Sequence, residues 1–157
     1  IGSLVAKKLK LNFIDIDNEI EKNYKITIKK FFEVKGEDFF RKIEEQTTLK
    51  KLKLSSTVIS LGGGGFTNEN IRKEILKNHL SFWLNWSYET LLNRIKNSRK
   101  RPLVINATNA ELIDLIKKRS NIYSKALYEI RCDNLSKSEI VNKIIEIYEK
   151  NKINNKD

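Results

Sequence analysis

The segment Thr57-Val-Ile-Ser-Leu-Gly-Gly-Gly-Gly65 decides which fold the chain can adopt. Its first five residues form a short, mostly apolar run, which predicts a buried strand over Thr57–Leu61. Four glycines, Gly62 to Gly65, follow directly. Polyglycine after a strand lets backbone N–H groups approach a ligand without interference from a Cβ atom. Because an ordinary tight turn rarely needs so many glycines, we favour a ligand-binding loop over a simple turn here.

Short β-rich runs alternate with helical periods on both sides of this segment, which indicates a parallel α/β sheet. The other predicted strands are Leu11–Asp15, Ser81–Asn85 and Glu129–Cys132. Helices are predicted near residues 18–24, 28–34, 37–52, 69–78, 87–96, 109–126 and 136–151. In open α/β sheets, ligands bind at the carboxyl ends of the strands. Two breaks in the alternation lie there, namely the glycine run and a basic segment over residues 96–107.

The composition is that of a single globular domain without a membrane span. The chain has 157 residues, of which 39% are hydrophobic and 32% charged. No apolar run approaches the roughly 18 residues that a membrane-spanning helix needs. The single cysteine, Cys132, cannot form an internal disulfide and is predicted to be an inert, half-buried thiol in a strand. We therefore expect a cytoplasmic protein.

The net charge of +11 comes mostly from lysine. The lysines recur on the polar sides of predicted helices, as over residues 93–100 and 141–152. A nucleic-acid-binding module usually gathers its charge on one stripe with interleaved aromatic side chains. We therefore expect a solvated lysine-rich surface and no nucleic-acid partner, although the basic balance would still attract a polyanionic ligand.

The N-terminal segment predicts that residues are missing before Ile1. The chain contains no methionine, not even at position 1. Residues 1–9, Ile-Gly-Ser-Leu-Val-Ala-Lys-Lys-Leu, have the pattern of the middle of an amphipathic helix, with no N-cap residue before it. The domain itself is expected over residues 1–150, with a polar, frayed tail over 151–157.

Two aspartates, Asp15 and Asp17, lie where the first predicted strand ends. Residues at i and i+2 of a strand point to the same side. Paired carboxylates at a strand end can hold Mg²⁺, usually through water, and can accept a proton from an alcohol. The alternative is that Asp17 only caps the helix that follows, and the motif alone does not decide between these functions.

Arginines supply two further candidate motifs. Arg41 and Glu44 are three residues apart in a predicted helix, so the carboxylate can steady the guanidinium for bidentate capture of a substrate carboxylate. A solvated ion pair is the plainer explanation. Arg94 and Arg101 lie in or beside the basic segment, which could act as a mobile lid over phosphates or could be an ordinary surface loop.

The order and spacing of these motifs resemble the shikimate kinase family, over about residues 1 to 150. The resemblance is carried by Phe13-Ile-Asp-Ile-Asp-Asn-Glu-Ile-Glu21, Gly36-Glu-Asp-Phe-Phe-Arg-Lys-Ile-Glu-Glu45, Gly62-Gly-Gly64, Arg101-Pro-Leu103 and Arg119-Ser-Asn-Ile-Tyr123. It implies a three-layer α/β/α sandwich with a mostly parallel central sheet, of the P-loop kinase type. The implied reaction is ATP-dependent phosphorylation of the 3-hydroxyl of shikimate, in aromatic amino-acid biosynthesis.

The resemblance also implies a shikimate site. Asp17 corresponds to the aspartate that contacts a shikimate hydroxyl and accepts its proton. Arg41 and Arg119 correspond to two arginines that bind the shikimate carboxylate, and Glu44 orients Arg41. The remaining implied contacts are a glycine loop and two apolar walls: Gly62, Gly63, Gly64, Phe32 and Phe40.

ATP and Mg²⁺ are the cofactors that the resemblance implies. Asp15 corresponds to the aspartate that helps to hold magnesium, Arg101 to a lid arginine that reaches the transferred phosphate, and Arg94 to an arginine that lies against adenine. Ser136 stands where members of the family often place a longer polar side chain near adenine. The phosphate loop of the family, Gly-x-x-x-x-Gly-Lys-Ser/Thr, should end just before Ile1, so the N-terminal strand and this loop are absent and the chain as it stands is expected to be inactive.

Other functions remain open at this point. One is a different small-metabolite P-loop kinase, such as a gluconate kinase, against which the paired arginines and the glycine loop argue. Another is a shikimate-binding pseudokinase that lacks the phosphate loop, whereas the absent methionine favours lost sequence. The expected partner is shikimate alone, bound by a monomer without a membrane or a nucleic acid.

Overall fold

The computed structural model describes residues 1–96 and 107–154. The described residues form helices and strands that alternate along the chain as the sequence predicts. In chain order they are α1 Gly2–Leu9, β1 Asn12–Asp15, α2 Ile16–Tyr24, α3 Ile28–Lys35, α4 Glu37–Leu52, β2 Thr57–Ser60, α5 Glu69–Asn78, β3 Phe82–Asn85, α6 Tyr88–Lys96, α7 Asn109–Tyr123, β4 Tyr128–Arg131 and α8 Lys137–Asn154. A single 3₁₀ turn over Gly65–Thr67 connects the glycine run to α5.

The strands are parallel, as predicted, but they form two pairs. β1 pairs with β2, with Asn12 opposite Thr57 and Asp15 opposite Ser60. β3 pairs with β4, with Phe82 opposite Tyr128. Among the described residues, β2 and β3 do not pair with each other, so the predicted central sheet consists of two two-stranded sheets.

Helices cover both faces of the strands, which gives the predicted α/β/α layers. On one face, Val58 of β2 packs against a core that α1 and α8 share, with Val5 and Val141 at its centre. On the other face, Ile14 and Ile59 pack against the core of α2, α3 and α4. The alternation of neighbouring residues between faces is what the period of a strand requires.

Several helices begin at a side chain that acts as the N-cap. Asn68 accepts a hydrogen bond from Ile71 N at the start of α5, which begins at Glu69, where the helix was predicted. Thr108 and Glu111 form a capping box at the start of α7. Ser136 accepts from Glu139 N at the start of α8. α7 ends at Tyr123, three residues before the predicted end.

Two expectations about the last strand need correction. β4 ends at Arg131, so Cys132 follows the strand, and the residue is buried rather than half-buried, with 1% exposed. Burial, followed by the negative charge of Asp133, raises the pKa of the Cys132 thiol to about 11, which keeps it inert as predicted. In the described part of the chain, none of the helices is both long and apolar enough to cross a membrane.

Candidate active site

The glycine run after β2 is in contact with the polar side chains that the sequence singles out. The pairs are Asp17 with Gly62, Arg119 with Gly63, and Arg41 with Gly64. A Cβ atom on Gly62 would overlap the Asp17 carboxylate, and one on Gly64 would overlap the Arg41 guanidinium. One on Gly63 would lie 3.2 Å from Nη1 of Arg119. The loop therefore needs glycine because two cations and a carboxylate lie directly against its backbone.

Arg41 is held by two carboxylates of its own helix, α4. Its Nη1 donates to Glu44 Oε2 at 2.6 Å, while Nε and Nη2 donate to Glu37 Oε1 at 3.2 and 3.1 Å. Glu44 is buried, with 2% exposed, so the pair is more than the solvated surface contact considered above. Burial acts to lower the pKa of Arg41, but the hydrogen bonds that it donates to Glu44 and Glu37, together with their negative charges, outweigh burial and raise that pKa.

Glu37 is a contact that the sequence interpretation missed. It lies four residues before Arg41 in the helix, and this spacing places the two side chains on one face. The i,i+4 spacing could therefore have revealed it. With both carboxylates engaged, the guanidinium is held in one orientation over the glycine loop.

The aromatic side chains Phe32 and Phe40 lie beneath Arg41. The guanidinium carbon is 5.8 Å from the Phe32 ring centroid and 5.4 Å from that of Phe40. The two rings pack against each other at 4.8 Å. Phe40 is buried, with 2% exposed, and Phe32 is partly exposed. Phe40 thus supports Arg41 from inside the core, and Phe32 is the ring that reaches the surface beside it.

Asp17 lies in the first turn of α2 rather than in the strand. α2 begins at Ile16, so the predicted arrangement of Asp15 and Asp17 on one side of a strand is wrong. Burial, followed by the negative charges of Glu44 and Asp15, raises the pKa of Asp17 to about 6. A carboxylate with such a pKa is matched to proton transfer near neutral pH.

Asp15 is the residue that caps α2, a role that was considered for Asp17. Its Oδ1 accepts from Asn18 N at 3.0 Å. One carboxylate oxygen remains for another partner. The described residues contain no group of three or more His, Cys, Asp or Glu side chains that could hold a metal ion. Asp15 can therefore contribute to a metal site but does not form one with its neighbours.

Two side chains of α7 reach the glycine loop. Arg119 lies against Gly63, and Tyr123 donates from its hydroxyl to Gly63 O at 2.5 Å. The two residues are four apart, so they lie on the same face of the helix. Tyr123 belongs to the Arg-x-x-x-Tyr motif but received no role from the sequence, because a hydrogen bond to a backbone carbonyl leaves no trace in spacing.

The far end of the loop is held by contacts that no motif predicts. Arg72 of α5 donates to the carbonyl oxygens of Phe66 and Thr67 at 3.1 and 2.9 Å. Glu45 of α4 accepts from the amide of Asn68 at 2.7 Å. The bond to Glu45 connects the end of the loop to α4, the helix that carries Arg41, so the loop is held in a fixed position relative to the guanidinium.

The predicted nucleotide residues are only partly covered by the structure. Arg94 lies in α6 with its guanidinium carbon 4.3 Å from the ring centroid of Trp86, and its side chain is exposed. Arg101 and most of the predicted lid, residues 97–106, lie outside the described residues. Arg94 is thus not brought against the glycine loop, and the cluster consists of Asp17, Arg41, Glu44, Arg119 and the glycines.

Known proteins resemble this chain in sequence and in fold. Residues 1–149 match the family described as SKI: Shikimate kinase. The shikimate kinase of Bacillus subtilis (strain 168) is 41% identical over 152 residues, which is 93% of this chain and 80% of that protein. The shikimate kinase of Persephonella marina is 38% identical over 146 residues, which is 92% of this chain and 88% of that protein.

Solved structures agree with the sequence relatives. The crystal structure of shikimate kinase from Aquifex aeolicus matches with a TM-score of 0.85 and 32% identity, covering 96% of this chain and 88% of that one. The shikimate kinase from Acinetobacter baumannii in complex with shikimate gives a TM-score of 0.88 and 29% identity, covering 96% and 86%. Sequence and fold agree over nearly the whole length, and the chain belongs to the shikimate kinase family.

Proposed function

We propose that this protein transfers the γ-phosphoryl group of ATP to the 3-hydroxyl of shikimate. The observation that carries the proposal is the convergence of Asp17, Arg41 and Arg119 on three successive glycines. Shikimate is a small carboxylate with neighbouring hydroxyl groups. A site that presents two cations and one carboxylate on a glycine loop has the complementary charges.

The arginines bind and orient the substrate. Arg41 and Arg119 lie against neighbouring glycines, so both can reach one carboxylate. Glu44 and Glu37 hold the Arg41 guanidinium in advance, which reduces the conformational freedom that binding must remove. A guanidinium presents parallel N–H donors that match the two oxygens of a carboxylate.

Asp17 takes the proton in the chemical step. The 3-hydroxyl oxygen forms a bond to the γ-phosphorus while the bond from that phosphorus to the bridging oxygen of ADP breaks. The hydroxyl proton passes to Asp17, whose carboxyl has a pKa of about 6 and is mostly ionised at pH 7 and above. Asp17 later releases this proton to solvent.

ATP is the phosphoryl donor of the family, and Mg²⁺ is the metal that we propose with it. Asp15 would supply a carboxylate oxygen beside its helix cap. This fits Mg²⁺, which usually takes one or two carboxylates and fills its shell with waters and substrate phosphates. Bound there, it would neutralise phosphate charge. Arg101 and Arg94 remain proposed contacts of the phosphate and of adenine.

The proposed enzyme acts as a monomer in the cytoplasm, as a step of aromatic amino-acid biosynthesis. Its only partners are ATP and shikimate, without a nucleic acid.

The test is a coupled assay of ADP release by the complete gene product. We expect ADP release that depends on shikimate, with phosphorus NMR of the product showing a phosphate ester at the 3-position. Gluconate is the control substrate and should give no release above background. Release with gluconate, or equal release without any acceptor, would refute the proposal.

A further inference from the structure

The glycine loop forms a turn whose central peptide can point in two directions. Gly65 N donates to Gly62 O at 3.0 Å, so Gly63 and Gly64 are the central residues of a β-turn. Gly64 has φ −104° and ψ −18°, which makes this a type I turn. Reversing the Gly63–Gly64 peptide gives a type II turn, which requires a positive φ at Gly64. Glycine adopts that angle at no steric cost, so the sequence alone leaves the orientation undetermined.

The hydroxyl of Tyr123 selects one orientation. It donates to Gly63 O at 2.5 Å and thereby holds this carbonyl toward α7. The phenol ring is itself placed by Phe66 and Trp83, whose ring centroids each lie 6.4 Å away. In a trans peptide the carbonyl and the next N–H point in opposite directions. The Gly64 N–H is therefore directed away from α7.

The Gly64 N–H has the properties of a ligand donor. No described residue accepts a hydrogen bond from it. Gly64 is buried against the Arg41 guanidinium, and a buried N–H without a partner costs free energy until an acceptor arrives. Because a Cβ atom on Gly64 would overlap the Arg41 guanidinium, an anionic oxygen bound to Arg41 would lie near this N–H as well.

We propose that Tyr123 is a positioning residue of the shikimate site, whose hydroxyl keeps the Gly63–Gly64 peptide in the orientation that presents the Gly64 N–H to a shikimate oxygen. This rests on the proposed function. Without the hydroxyl the peptide can reverse. The Gly63 carbonyl oxygen would then face the substrate in place of the Gly64 N–H, and it would repel the substrate oxygens instead of donating a hydrogen bond to them. Tyr123 acts through Gly64 and does not itself touch the substrate.

The test compares Tyr123→Phe with Tyr128→Phe in the complete protein. Both variants lose one phenol hydroxyl that donates a hydrogen bond. Tyr128 lies in β4, away from the glycine loop, and its hydroxyl donates to Asn151 Oδ1 at 3.0 Å. We expect Tyr123→Phe to weaken shikimate binding, measured by calorimetry, by about 10- to 150-fold, the effect of one hydrogen bond to a charged group. The KM for ATP should stay within about twofold, and Tyr128→Phe should bind shikimate as the wild type does.

A second readout observes the peptide itself. With glycine selectively labelled with ¹⁵N, shikimate should shift the Gly64 amide resonance of the wild type. In Tyr123→Phe the Gly63 and Gly64 resonances should broaden or double without substrate, because the peptide exchanges between two orientations. Tyr128→Phe should give the wild-type spectrum of the loop.

The outcomes separate this inference from the proposed function. If the wild type phosphorylates shikimate but Tyr123→Phe binds it with unchanged affinity, Tyr123 has no positioning role and the proposed function stands. Equal losses for shikimate and ATP in Tyr123→Phe would also overturn the inference, since they would indicate a general structural defect. A wild type that neither binds nor phosphorylates shikimate would refute both.

Discussion

Nη1 of Arg41 lies 2.6 Å from Oε2 of Glu44, and Glu44 is the buried member of the pair, with 2% of its surface exposed. A buried carboxylate that loses its partner is strongly destabilising, because its charge is then uncompensated. Arg41 therefore has two separable functions. Its guanidinium pairs with the buried Glu44 carboxylate, and under the proposed function it also binds the shikimate carboxylate, so the two roles can be tested apart.

Replacing either arginine of the cluster should weaken shikimate binding. We expect Arg41→Ala and Arg119→Ala each to cost about 2–4 kcal/mol in shikimate affinity, as for the loss of one partner of a hydrogen-bonded charge pair. ATP affinity should hardly change in either variant. Isothermal calorimetry with each ligand measures both. Lys118→Ala, an exposed cation next to Arg119 on α7, is the matched control and should bind shikimate normally.

The free energy of unfolding distinguishes the structural role of Arg41 from its proposed role in substrate binding. Arg41→Ala should lower the free energy of unfolding more than Arg119→Ala does, because it leaves Glu44 buried and charged. The double variant Arg41→Ala with Glu44→Gln should recover stability but not shikimate affinity. Urea denaturation gives the comparison. A double variant no more stable than Arg41→Ala would mean that Glu44 does not depend on Arg41.

Alanine substitutions along the glycine run should differ in severity. A Cβ atom on Gly62 or Gly64 would overlap the Asp17 carboxylate or the Arg41 guanidinium, whereas one on Gly63 would meet Arg119 at 3.2 Å. The groups in the way are the ends of side chains, so the fold should survive while the site is displaced. We expect kcat/KM for shikimate to fall by about 100-fold or more at Gly62 and Gly64, since a misplacement of about 1 Å can cost this much. The loss at Gly63 should be smaller, and the reverse order would contradict the geometry.

The fold could be predicted closely from the sequence because its signals are local. The strand before the glycine run and the helix that begins at Glu69 each depend on a few neighbouring residues, and each lies where the pattern places it. The pairing of strands was harder. It depends on contacts between distant segments, so the sequence predicted parallel strands but did not show that the described strands form two pairs.

The candidate site shows the same division. The resemblance assigned Asp17, Arg41 and Arg119 to one site, and the structure places all three against the glycine loop. The sequence did not show that Asp15, rather than Asp17, caps α2, because α2 begins at Ile16, two residues before the predicted start of the helix. Nor did it show the bond from Tyr123 to Gly63 O, which joins residues 60 apart in the chain.

Asp133 should matter for α6 and, through it, for ATP. Its carboxylate accepts from Ser87 N at 2.8 Å and from the Thr90 hydroxyl at 3.0 Å, which fixes the start of the helix that carries Arg94, where Ser87 Oγ accepts from Thr90 N. We expect Asp133→Ala to destabilise the first turn of α6, because Ser87 N and the Thr90 hydroxyl then lose their acceptor. The KM for ATP should rise while that for shikimate stays constant. Asp114→Ala on α7, an exposed carboxylate in an i,i+4 pair, is the control and should change neither.

Asp17 should limit stability and support activity at the same pH. Burial, followed by the charges of Glu44 and Asp15, raises the pKa of Asp17 from 3.8 to about 6. The folded state therefore holds this proton more tightly than the unfolded state, so ionising Asp17 destabilises the fold as pH rises from about 4 to about 6, and the cost persists above that range. Asp17→Asn removes it. The variant should be more stable than the wild type at pH 8 in urea denaturation, and the difference should shrink toward pH 4.

The activity of Asp17→Asn should change in the opposite direction. In the wild type, kcat/KM for shikimate should rise with pH and level off above about pH 6, where the free enzyme holds Asp17 ionised. Asp17→Asn should lose about 100-fold or more in turnover, the range expected when a general base is removed. Its kcat/KM should also no longer rise with pH below about pH 6, that is, it should lack the acidic limb of the wild-type profile. Asp38→Asn, which removes an exposed carboxylate in the first turn of α4, should keep both. An acidic limb near pH 6 that survives in Asp17→Asn would assign the titration to another group and exclude Asp17 as the base.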